Sequence, residues 1–481
     1  MSQRLWNLLG RLAFAAAGAS AGGVPAQPLP PEVVQALQQA QVPPERMAVV
    51  VQEVGASAPK LQHQADLPMN PASLFKLVTT TASLDLLGPS YTWSTPVWLD
   101  GPVRGGVLEG SLAIRGSGDP TLVLERVWLL LRRVRQLGVR EIRGDIVLDR
   151  SAFASGAGGE DSFDGEPLRP YNVRADALLL NYKSVVYTFT PDPASKVARV
   201  TAEPALAGVA VDATVPLADG PCGDWRARLL ASFADPRAVH FAGRYAADCG
   251  ERSWPVAPPE PGRYNARLLE ALWRETGGVL RGSVHDGPAP AARPPNFVVS
   301  SPPLAEVVRD INKFSNNVMA QQLFLTLGAT LRGEGTPEAA RQVLAQWLGA
   351  RFGDAAMADT VIDNGAGLSR GQRLTARLLG QVLQAAYAGP TMPELMSSLP
   401  VSGMDGTLRR MPGAPGRAHL KTGSLRDVAG LAGYVLAASG KRYLLVAMIN
   451  HPNAPAARMA LDALVQWTAD DTAPSRRATS P

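Results

Sequence analysis

Three short motifs in this chain of 481 residues place a hydroxyl close to an amine or an amide. The first is Ser73-Leu74-Phe75-Lys76, inside an apolar segment over residues 71–87 that predicts a buried helix. Residues i and i+3 share one face of a helix, so Ser73 and Lys76 can meet. A desolvated lysine with a lowered pKa can remove the proton of a serine hydroxyl. The pair therefore predicts a serine nucleophile with a lysine base.

The second motif is Ser315-Asn316-Asn317, within residues 304–327, which have helical periodicity. The hydroxyl of Ser315 could relay a proton, and the amide of Asn317 could hold a substrate carbonyl. Taken alone, the motif is explained better as two polar residues on a solvated helix face.

The third motif is Lys421-Thr422-Gly423-Ser424, which overlaps a predicted strand over residues 418–422. The lysine supplies positive charge, the threonine supplies a hydroxyl, and the glycine allows a substrate backbone to lie along the strand edge. Because the chain has only seven lysines, a lysine in such a motif is a more specific signal than it would be in a lysine-rich protein.

The composition limits the classes of function. Apolar residues make up 46% of the chain and charged residues 19%, which excludes wholesale disorder. The net charge of +5 suits an anionic polymer or surface without requiring one, and no nucleic-acid partner is expected. None of the five histidines has metal-ligand spacing, and two cysteines cannot build a zinc site. We therefore expect neither a metal nor a cofactor.

The N-terminus predicts export. Two arginines precede a short apolar stretch, and Ala19-Ser20-Ala21 and Val24-Pro25-Ala26 are both candidate cleavage sites. Residues 1–26 are therefore interpreted as a signal peptide, and a plain N-terminal extension is the alternative. No later window approaches the ~20 apolar residues of a membrane span, so we expect no transmembrane segment. In an oxidising compartment Cys222 and Cys249 are expected to form a disulfide, with two free buried thiols as the alternative.

The order of predicted elements indicates a split domain. Strand–helix material over residues 27–94 is followed by a strand-rich stretch over 95–290 and by helix–strand–helix material over 291–470. Residues 471–481 form a polar tail, which is expected to be disordered. The expected fold class is α/β (α+β): an antiparallel sheet flanked by helices, interrupted by a large strand-rich insert. One domain or two subdomains are both open for this insert.

Together, the order S-x-x-K, S-x-N, K-T-G resembles the signature of penicillin-binding proteins and serine β-lactamases. The 239 positions from residue 76 to 315 exceed the gap of compact β-lactamases and resemble the low-molecular-mass class C penicillin-binding proteins, the family typified by penicillin-binding protein 4 (peptidase family S13). Further stretches that resemble this family are residues 115–120, 144–149, 171–172, 180–182, 363–370 and 403–408. One departure is Ala366, which stands where the family usually has a serine.

The resemblance implies a D-Ala-D-Ala carboxypeptidase or DD-endopeptidase that acts on peptidoglycan peptides in the periplasm and is inhibited by β-lactams. Ser73 would attack, Lys76 would act as base, and Ser315 with Lys421 would form the second side of the proton path. Asn317 would hold the peptide, and Lys421 with Thr422 would attract the terminal carboxylate. The backbone N–H groups of Ser73 and Ser424 would bind the oxyanion.

The resemblance also offers residues for substrate recognition. Arg370 would bind the carboxylate of a diaminopimelate side chain, with a plain surface arginine as the alternative. Asp149 and Phe153, from the insert, would line the same pocket.

Two other functions stay open at this point. A β-lactamase shares the nucleophile, but the chain lacks an E-x-x-L-N loop and has Ser315-Asn316-Asn317 where class C enzymes carry Y-x-N. A non-catalytic peptidoglycan-binding scaffold would tolerate the loss of Ser73 or Lys76, and both are present. Oligomeric state cannot be read from the sequence.

Overall fold

The computed structural model describes residues 28–472, except 155, 157–162 and 291. The predicted signal peptide over residues 1–26 lies outside the described residues, as does the predicted tail from residue 473 onward. No helix in the described part of the chain is both long and apolar enough to cross a membrane.

The described residues form twelve α-helices and twenty-two strands. The helices are α1 Pro31–Gln39, α2 Phe75–Leu87, α3 Leu124–Gln136, α4 Trp225–Arg228, α5 Pro261–Glu275, α6 Leu304–Phe314, α7 Asn317–Arg332, α8 Pro337–Phe352, α9 Asp354–Met357, α10 Ala376–Ala388, α11 Met392–Ser398 and α12 Arg458–Ala469. The strands are β1 Met47–Glu53, β2 Leu61–His63, β3 Ser94–Asp100, β4 Val103–Arg104, β5 Val107–Leu108, β6 Ser111–Arg115, β7 Glu141–Ile142, β8 Ile146–Asp149, β9 Val185–Asp192, β10 Val197–Glu203, β11 Ala210–Val211, β12 Thr214–Ala218, β13 Ala231–Ser232, β14 Ala238–Phe241, β15 Tyr245–Ala246, β16 Arg252–Val256, β17 Val279–Leu280, β18 Val284–Asp286, β19 Phe297–Ser300, β20 Ala418–Leu425, β21 Val428–Leu436 and β22 Arg442–Asn450.

The two ends of the chain build one antiparallel sheet of order β2-β1-β22-β21-β20. Strand β1 comes from the start of the chain and pairs along its whole length with β22, so the sheet cannot form until residues about 400 positions apart meet. Helices α2 and α10 contribute to the core on one face, and α1 and α12 to the core on the other. Helix α2 is buried nearly all round, as expected for a helix with apolar residues on every side.

The strand-rich insert has a core of its own. Two of its sheets have the orders β18-β8-β6-β3-β19 and β15-β12-β10-β9-β16, and smaller sheets are formed by β17-β7-β5-β4 and β11-β14-β13. Cys222 and Cys249 form a disulfide within this part of the chain. Helices α3 and α5 bury their apolar faces in the same core.

The ends of the predicted segments differ from the structure in two places. Strand β19 pairs with β3 of the insert, so the insert's sheet continues past the predicted end at residue 290. Asp471, the first residue of the predicted disordered tail, is held by an ion pair with Lys60 and accepts hydrogen bonds from Tyr443 Oη at 2.8 Å and Ser439 Oγ at 3.1 Å. Both differences arise from pairing between residues far apart in the chain, which a local pattern does not contain.

Candidate active site

Ser73 lies on a turn of 3₁₀ helix, Ala72–Leu74, that leads directly into α2. Ala72 has a φ of 46°, in the left-handed region that non-glycine residues rarely adopt, so other groups must hold this turn. The side-chain oxygen of Asn70 accepts a hydrogen bond from Ala72 N at 2.9 Å. Asn450, at the end of β22, exchanges two hydrogen bonds with the backbone of Asn70, at 2.7 and 3.0 Å. Sequence reasoning missed both asparagines, which position the turn that carries the serine.

Lys76 is fully buried, and its amine reaches the hydroxyl of Ser73. Nζ lies 2.9 Å from Ser73 Oγ, 2.7 Å from Asn317 Oδ1 and 2.6 Å from the carbonyl oxygen of Ala366. Burial lowers the pKa of Lys76 well below its usual value, and the charge of Lys421 lowers it further. The amine is therefore positioned, and poised towards its neutral form, to take the serine proton.

The motif around Ser315 lies at a break between two helices, so the prediction of one continuous helix over residues 304–327 is wrong. Helix α6 ends at Ser315, which has a φ of 56°, and the side chain of Asn316 caps α7 by accepting a hydrogen bond from Met319 N at 3.1 Å. Asparagine is a favoured helix N-cap, and this local hydrogen bond competes with continuation of the first helix. The break turns Ser315 towards the site.

Lys421, on the edge strand β20, is the second fully buried lysine of the site. Its Nζ lies 2.7 Å from Ser315 Oγ and donates to the carbonyl oxygen of Thr422 at 2.7 Å. Burial lowers the pKa of Lys421 to about 7. At neutral pH this amine therefore exists in both protonation states, as a group on a proton path requires.

Strand β20 approaches the turn of Ser73 closely because Gly423 has no side chain. A Cβ atom at Gly423 would lie 2.8 Å from the carbonyl oxygen of Pro71 and 2.9 Å from Cγ of Leu74. The open cleft between them has a volume of about 480 Å³, and Ser73, Ser315, Thr422, Gly423 and Ser424 all line it. The structure thus brings all three motifs to one cleft.

A second cavity, of about 650 Å³, adjoins the far side of Asn317. It is lined by Phe163, Tyr171, Asn317, Arg341 and Arg370, among others. The guanidinium of Arg370 lies over the ring of Phe163, 5.0 Å from its centroid. Two arginines beside a tyrosine and a phenylalanine suit an anionic group at the end of an apolar stem.

Asp149 and Phe153 lie apart from this cavity, which corrects the expectation that they line it with Arg370. They line a separate depression of about 430 Å³, and Gly156 borders both spaces. Asp149 accepts hydrogen bonds from the backbone N–H groups of Ser151 and Ala289, each at 3.0 Å. Phe153 is buried in the core shared with α2. Backbone hydrogen bonds and packing therefore hold both side chains.

The loop over residues 363–370 reaches the site through its backbone. The carbonyl of Ala366 accepts from Lys76, and Thr79 Oγ1 donates to the carbonyl of Gly365 at 2.8 Å. A Cβ at Gly367, which has a φ of 75°, would lie 1.8 Å from the carbonyl oxygen of Ala72. The serine-to-alanine departure at Ala366 therefore leaves the contact with the lysine intact, since a backbone atom makes it.

The described residues contain no group of three or more His, Cys, Asp and Glu side chains placed to hold a metal ion. The chemistry assembled here is a hydroxyl nucleophile, two buried amines of lowered pKa, a bridging hydroxyl and an amide. Such a set suits acyl transfer through a serine ester.

Residues 30–471 match the model of the D-Ala-D-Ala carboxypeptidase 3 (S13) family. A D-alanyl-D-alanine carboxypeptidase of Actinomadura sp. (strain R39) is 28% identical over 414 residues, covering 81% of this chain and 75% of the relative. The crystal structure of penicillin binding protein 4 from Haemophilus influenzae superposes with a TM-score of 0.72 at 22% identity, covering 90% of this chain and 99% of that one. A peptidoglycan endopeptidase of Bdellovibrio bacteriovorus has a TM-score of 0.51 at 17% identity, covering 89% and 94%. The predicted fold class is confirmed.

Proposed function

The chain belongs to the D-Ala-D-Ala carboxypeptidase 3 (S13) family, and from this membership and the geometry at Ser73 we propose how it acts on peptidoglycan. It is a serine-type hydrolase that removes the terminal D-alanine of stem peptides and, as an endopeptidase, cleaves the equivalent bond in cross-links. The observation that carries this proposal is the buried amine of Lys76, 2.9 Å from Ser73 Oγ, with a pKa well below its usual value.

Acylation begins when Ser73 Oγ attacks the carbonyl between the two D-alanines and Lys76 Nζ takes the hydroxyl proton. The developing oxyanion is bound by the backbone N–H groups of Ser73 and Ser424, both of which line the cleft. The C–N bond then breaks, and the path from Lys421 through Ser315 Oγ delivers a proton to the leaving amine. The proton that Lys76 took from Ser73 is passed on to restore the charge of Lys421, so Lys76 is neutral again. The products of this half-reaction are D-alanine and a Ser73 ester.

Deacylation repeats these steps with water. Lys76 Nζ takes a proton from the water molecule while the water oxygen attacks the ester carbonyl. As the C–O bond to Ser73 breaks, Lys76 returns that proton to Ser73 Oγ, which leaves as its hydroxyl. A β-lactam enters the same first step, but its ring-opened amine stays attached and occupies the leaving-group side. We expect the penicilloyl ester to be long-lived for that reason.

Three sets of side chains hold the substrate in this proposal. Asn317, which donates to the carbonyl of Tyr171 at 3.5 Å and accepts from Lys76, fixes the peptide. Lys421 and Thr422 attract the terminal carboxylate, and Gly423 lets the peptide backbone lie against β20. Arg370 binds a side-chain carboxylate, such as that of diaminopimelate, in the cavity beside Asn317. The roles of Asp149 and Phe153 in binding stay predictions.

The site of action follows from the substrate. An enzyme that cleaves peptidoglycan must reach it, so the protein is exported, and we propose the periplasm as its location.

Intact-mass spectrometry after incubation with benzylpenicillin tests the proposal, with Ser73→Ala as control. We expect one stable penicilloyl adduct on the wild type and none on Ser73→Ala, together with D-alanine release from an acylated D-Ala-D-Ala peptide by the wild type alone. Rapid loss of penicillin without an adduct would indicate a β-lactamase instead. If the protein forms no adduct, destroys no penicillin and releases no D-alanine, a non-catalytic scaffold would be the remaining explanation.

A further inference from the structure

The cleft beside Ser73 extends beyond Ser424 to a pair of arginines that the mechanism above does not use. Arg410 and Arg458 both line it, together with Thr422 and Ser424. Arg458 is the first residue of α12, and its Nη2 donates to Ser424 Oγ at 3.2 Å. Of the two arginines, Arg458 is therefore the one joined to the strand that carries the third motif.

Strand alternation explains why these groups face each other. Ala418 and Leu420 pack in the same core as the apolar face of α12. Because side chains alternate along a strand, Thr422 and Ser424 point to that same face. Thr422, Ser424 and Arg458 thus lie on the α12 side of the strand, and all three line the same cleft as Ser73.

The charge at Arg458 is available to a ligand. Among the described residues no carboxylate lies within 4 Å of its guanidinium, and the side chain is exposed. Asp462, one turn further along α12, also lines the cleft; burial raises the pKa of its carboxyl, and the charge of Arg458 opposes that rise. Arginine binds carboxylates with two parallel hydrogen bonds, which a lysine cannot do.

The two proposed substrates present the same group at this place. In a D-Ala-D-Ala terminus, the carbon next to the scissile nitrogen carries the terminal carboxylate. In a cross-link made through the D-centre of a diamino acid, the corresponding carbon carries that centre's carboxylate. When the scissile carbonyl lies at Ser73 Oγ, this carboxylate lies further along the cleft, on the side of Thr422 and Ser424.

We propose that Arg458, oriented by Ser424 Oγ, binds the α-carboxylate of the leaving D-amino acid and makes the enzyme selective for substrates that carry it. This inference rests on the proposed function and deepens it. The site serves both activities, since both leaving groups carry the carboxylate, and it discriminates against peptides in which that carboxylate is amidated.

Steady-state kinetics with diacetyl-L-Lys-D-Ala-D-Ala and with its C-terminal carboxamide test the inference. We expect Arg458→Gln to lower kcat/KM for the carboxylate peptide by about 10- to 100-fold, the effect of losing a charged hydrogen-bonded pair. The carboxamide should be a poor substrate for the wild type and no poorer for Arg458→Gln. Arg426→Gln, which removes an exposed arginine outside the cleft, is the matched control and should match the wild type on both peptides.

Two further variants test whether the charge of Arg458 is sufficient and whether Ser424 orients its side chain. Arg458→Lys keeps the positive charge but cannot form two parallel hydrogen bonds. Its kcat/KM for the carboxylate peptide should therefore lie between those of the wild type and Arg458→Gln. Ser424→Ala should show a smaller loss, confined to the carboxylate peptide. These variants remain informative if Arg458→Gln fails to fold, which its thermal midpoint would reveal.

Three results would overturn the inference: wild-type kinetics for Arg458→Gln, an equal loss on both peptides, or a carboxylate-specific loss in Arg410→Gln instead. A wild type that releases no D-alanine at all would overturn the proposed function, and the inference with it. If the wild type releases D-alanine and Arg458→Gln releases it equally well, the inference about Arg458 is overturned and the proposed function stands.

Discussion

At the scale of single residues, burial is what makes the two lysines of the site useful. Lys76 and Lys421 are each fully buried, and an amine removed from water favours its neutral form. Burial lowers the pKa of Lys76 well below its usual value, and the charge of Lys421 lowers it in addition. One amine is thereby suited to accept a proton, and the other to carry a positive charge up to about neutral pH.

The charge on Lys421 predicts an alkaline limit to substrate binding. With a pKa of about 7, Lys421 is cationic below pH 7 and loses its charge above it, so its attraction for a terminal carboxylate weakens as the pH rises. KM for a D-Ala-D-Ala peptide should rise up to roughly tenfold between pH 6 and pH 8. Steady-state kinetics across this range measure it. Lys421→Arg, which stays charged throughout, should show no such rise, and an equal rise in that variant would contradict the assignment.

Replacement of Asn317 by aspartate should shift the pKa of Lys76. Asn317→Asp places a carboxylate at the position that now contacts Lys76 Nζ at 2.7 Å, which stabilises the charged amine and raises the pKa of Lys76. We expect kcat/KM at pH 7 to fall by at least about tenfold and the acidic limb of the pH profile to move upward. The pH dependence of benzylpenicillin acylation provides the readout. Asn317→Ala should lose activity without moving the acidic limb of the pH profile. If the limb moves equally in both variants, the added carboxylate is not the cause.

At the scale of elements, the break between α6 and α7 places Ser315 in the site. The left-handed backbone at Ser315 costs about 1–2 kcal/mol for a residue with a Cβ, so the structure maintains this conformation against a local preference. The gain is a hydroxyl that reaches Lys421, which a continuous helix would not provide.

This break allows the hydroxyl and the backbone to be tested separately. Ser315→Ala and Ser315→Gly both delete Oγ, so both should reduce turnover by the same factor. Glycine adopts the left-handed conformation freely, and we expect the glycine variant to exceed the alanine variant in stability by up to about 1 kcal/mol. Urea unfolding compares the two proteins. An alanine variant as stable as the glycine variant would mean that the backbone at this position is not strained.

Gly367 predicts a dependence of the nucleophile on a neighbouring loop. A methyl group there would meet the carbonyl of Ala72 at 1.8 Å, on the turn that carries Ser73. Gly367→Ala should therefore displace that turn, with about 2 kcal/mol or more lost in stability and a slower acylation by benzylpenicillin. Gly262→Ala is the matched control, because a Cβ at Gly262 meets nothing within 4 Å. Normal acylation in Gly367→Ala would show that the loop moves to accept the methyl group without displacing the turn of Ser73.

At the scale of the whole molecule, the site belongs to the sheet built from the two chain ends, while the insert has its own core. The two parts meet at Gln322 of α7, which is fully buried. Its side chain accepts from Asp176 N at 2.8 Å and donates to the carbonyls of Gly118 at 3.1 Å and Asp176 at 2.8 Å. The helix that begins with Asn317 is thus joined to the insert by a set of satisfied hydrogen bonds.

The separate cores predict that the disulfide matters for stability and not for catalysis. Cys222 and Cys249 close a loop of 27 residues inside the insert. The double variant Cys222→Ser/Cys249→Ser should lose about 3.5 kcal/mol in the free energy of unfolding, by the loop-entropy estimate. Urea unfolding measures the loss, and benzylpenicillin adduct formation in buffer should be unchanged. Failure of the folded variant to form the adduct would show that the insert controls the site.

What the sequence alone determined is local or depends on residue type. Ser73, on the 3₁₀ turn, and Lys76, on α2, are three positions apart in one continuous helical segment, so their proximity follows from helical geometry without any tertiary information. Gly423 likewise predicted room for a substrate backbone along the strand edge, while its close contact with the turn of Ser73 was seen only in the structure. The order of elements also predicted a sheet formed by both chain ends, because apolar strand patterns stand at both ends of the chain.

The remaining features of the site depend on groups that meet across long stretches of chain, and only the folded structure reveals them. The helix break at Ser315, the carbonyl of Ala366 on Lys76 and the separation of Asp149 from the cavity of Arg370 have no periodicity to reveal them. Backbone carbonyls carry no side-chain signature, and a left-handed residue is stable only where its surroundings hold it. Arg458 is a further case, since its place beside Ser424 exists only once α12 packs on the sheet.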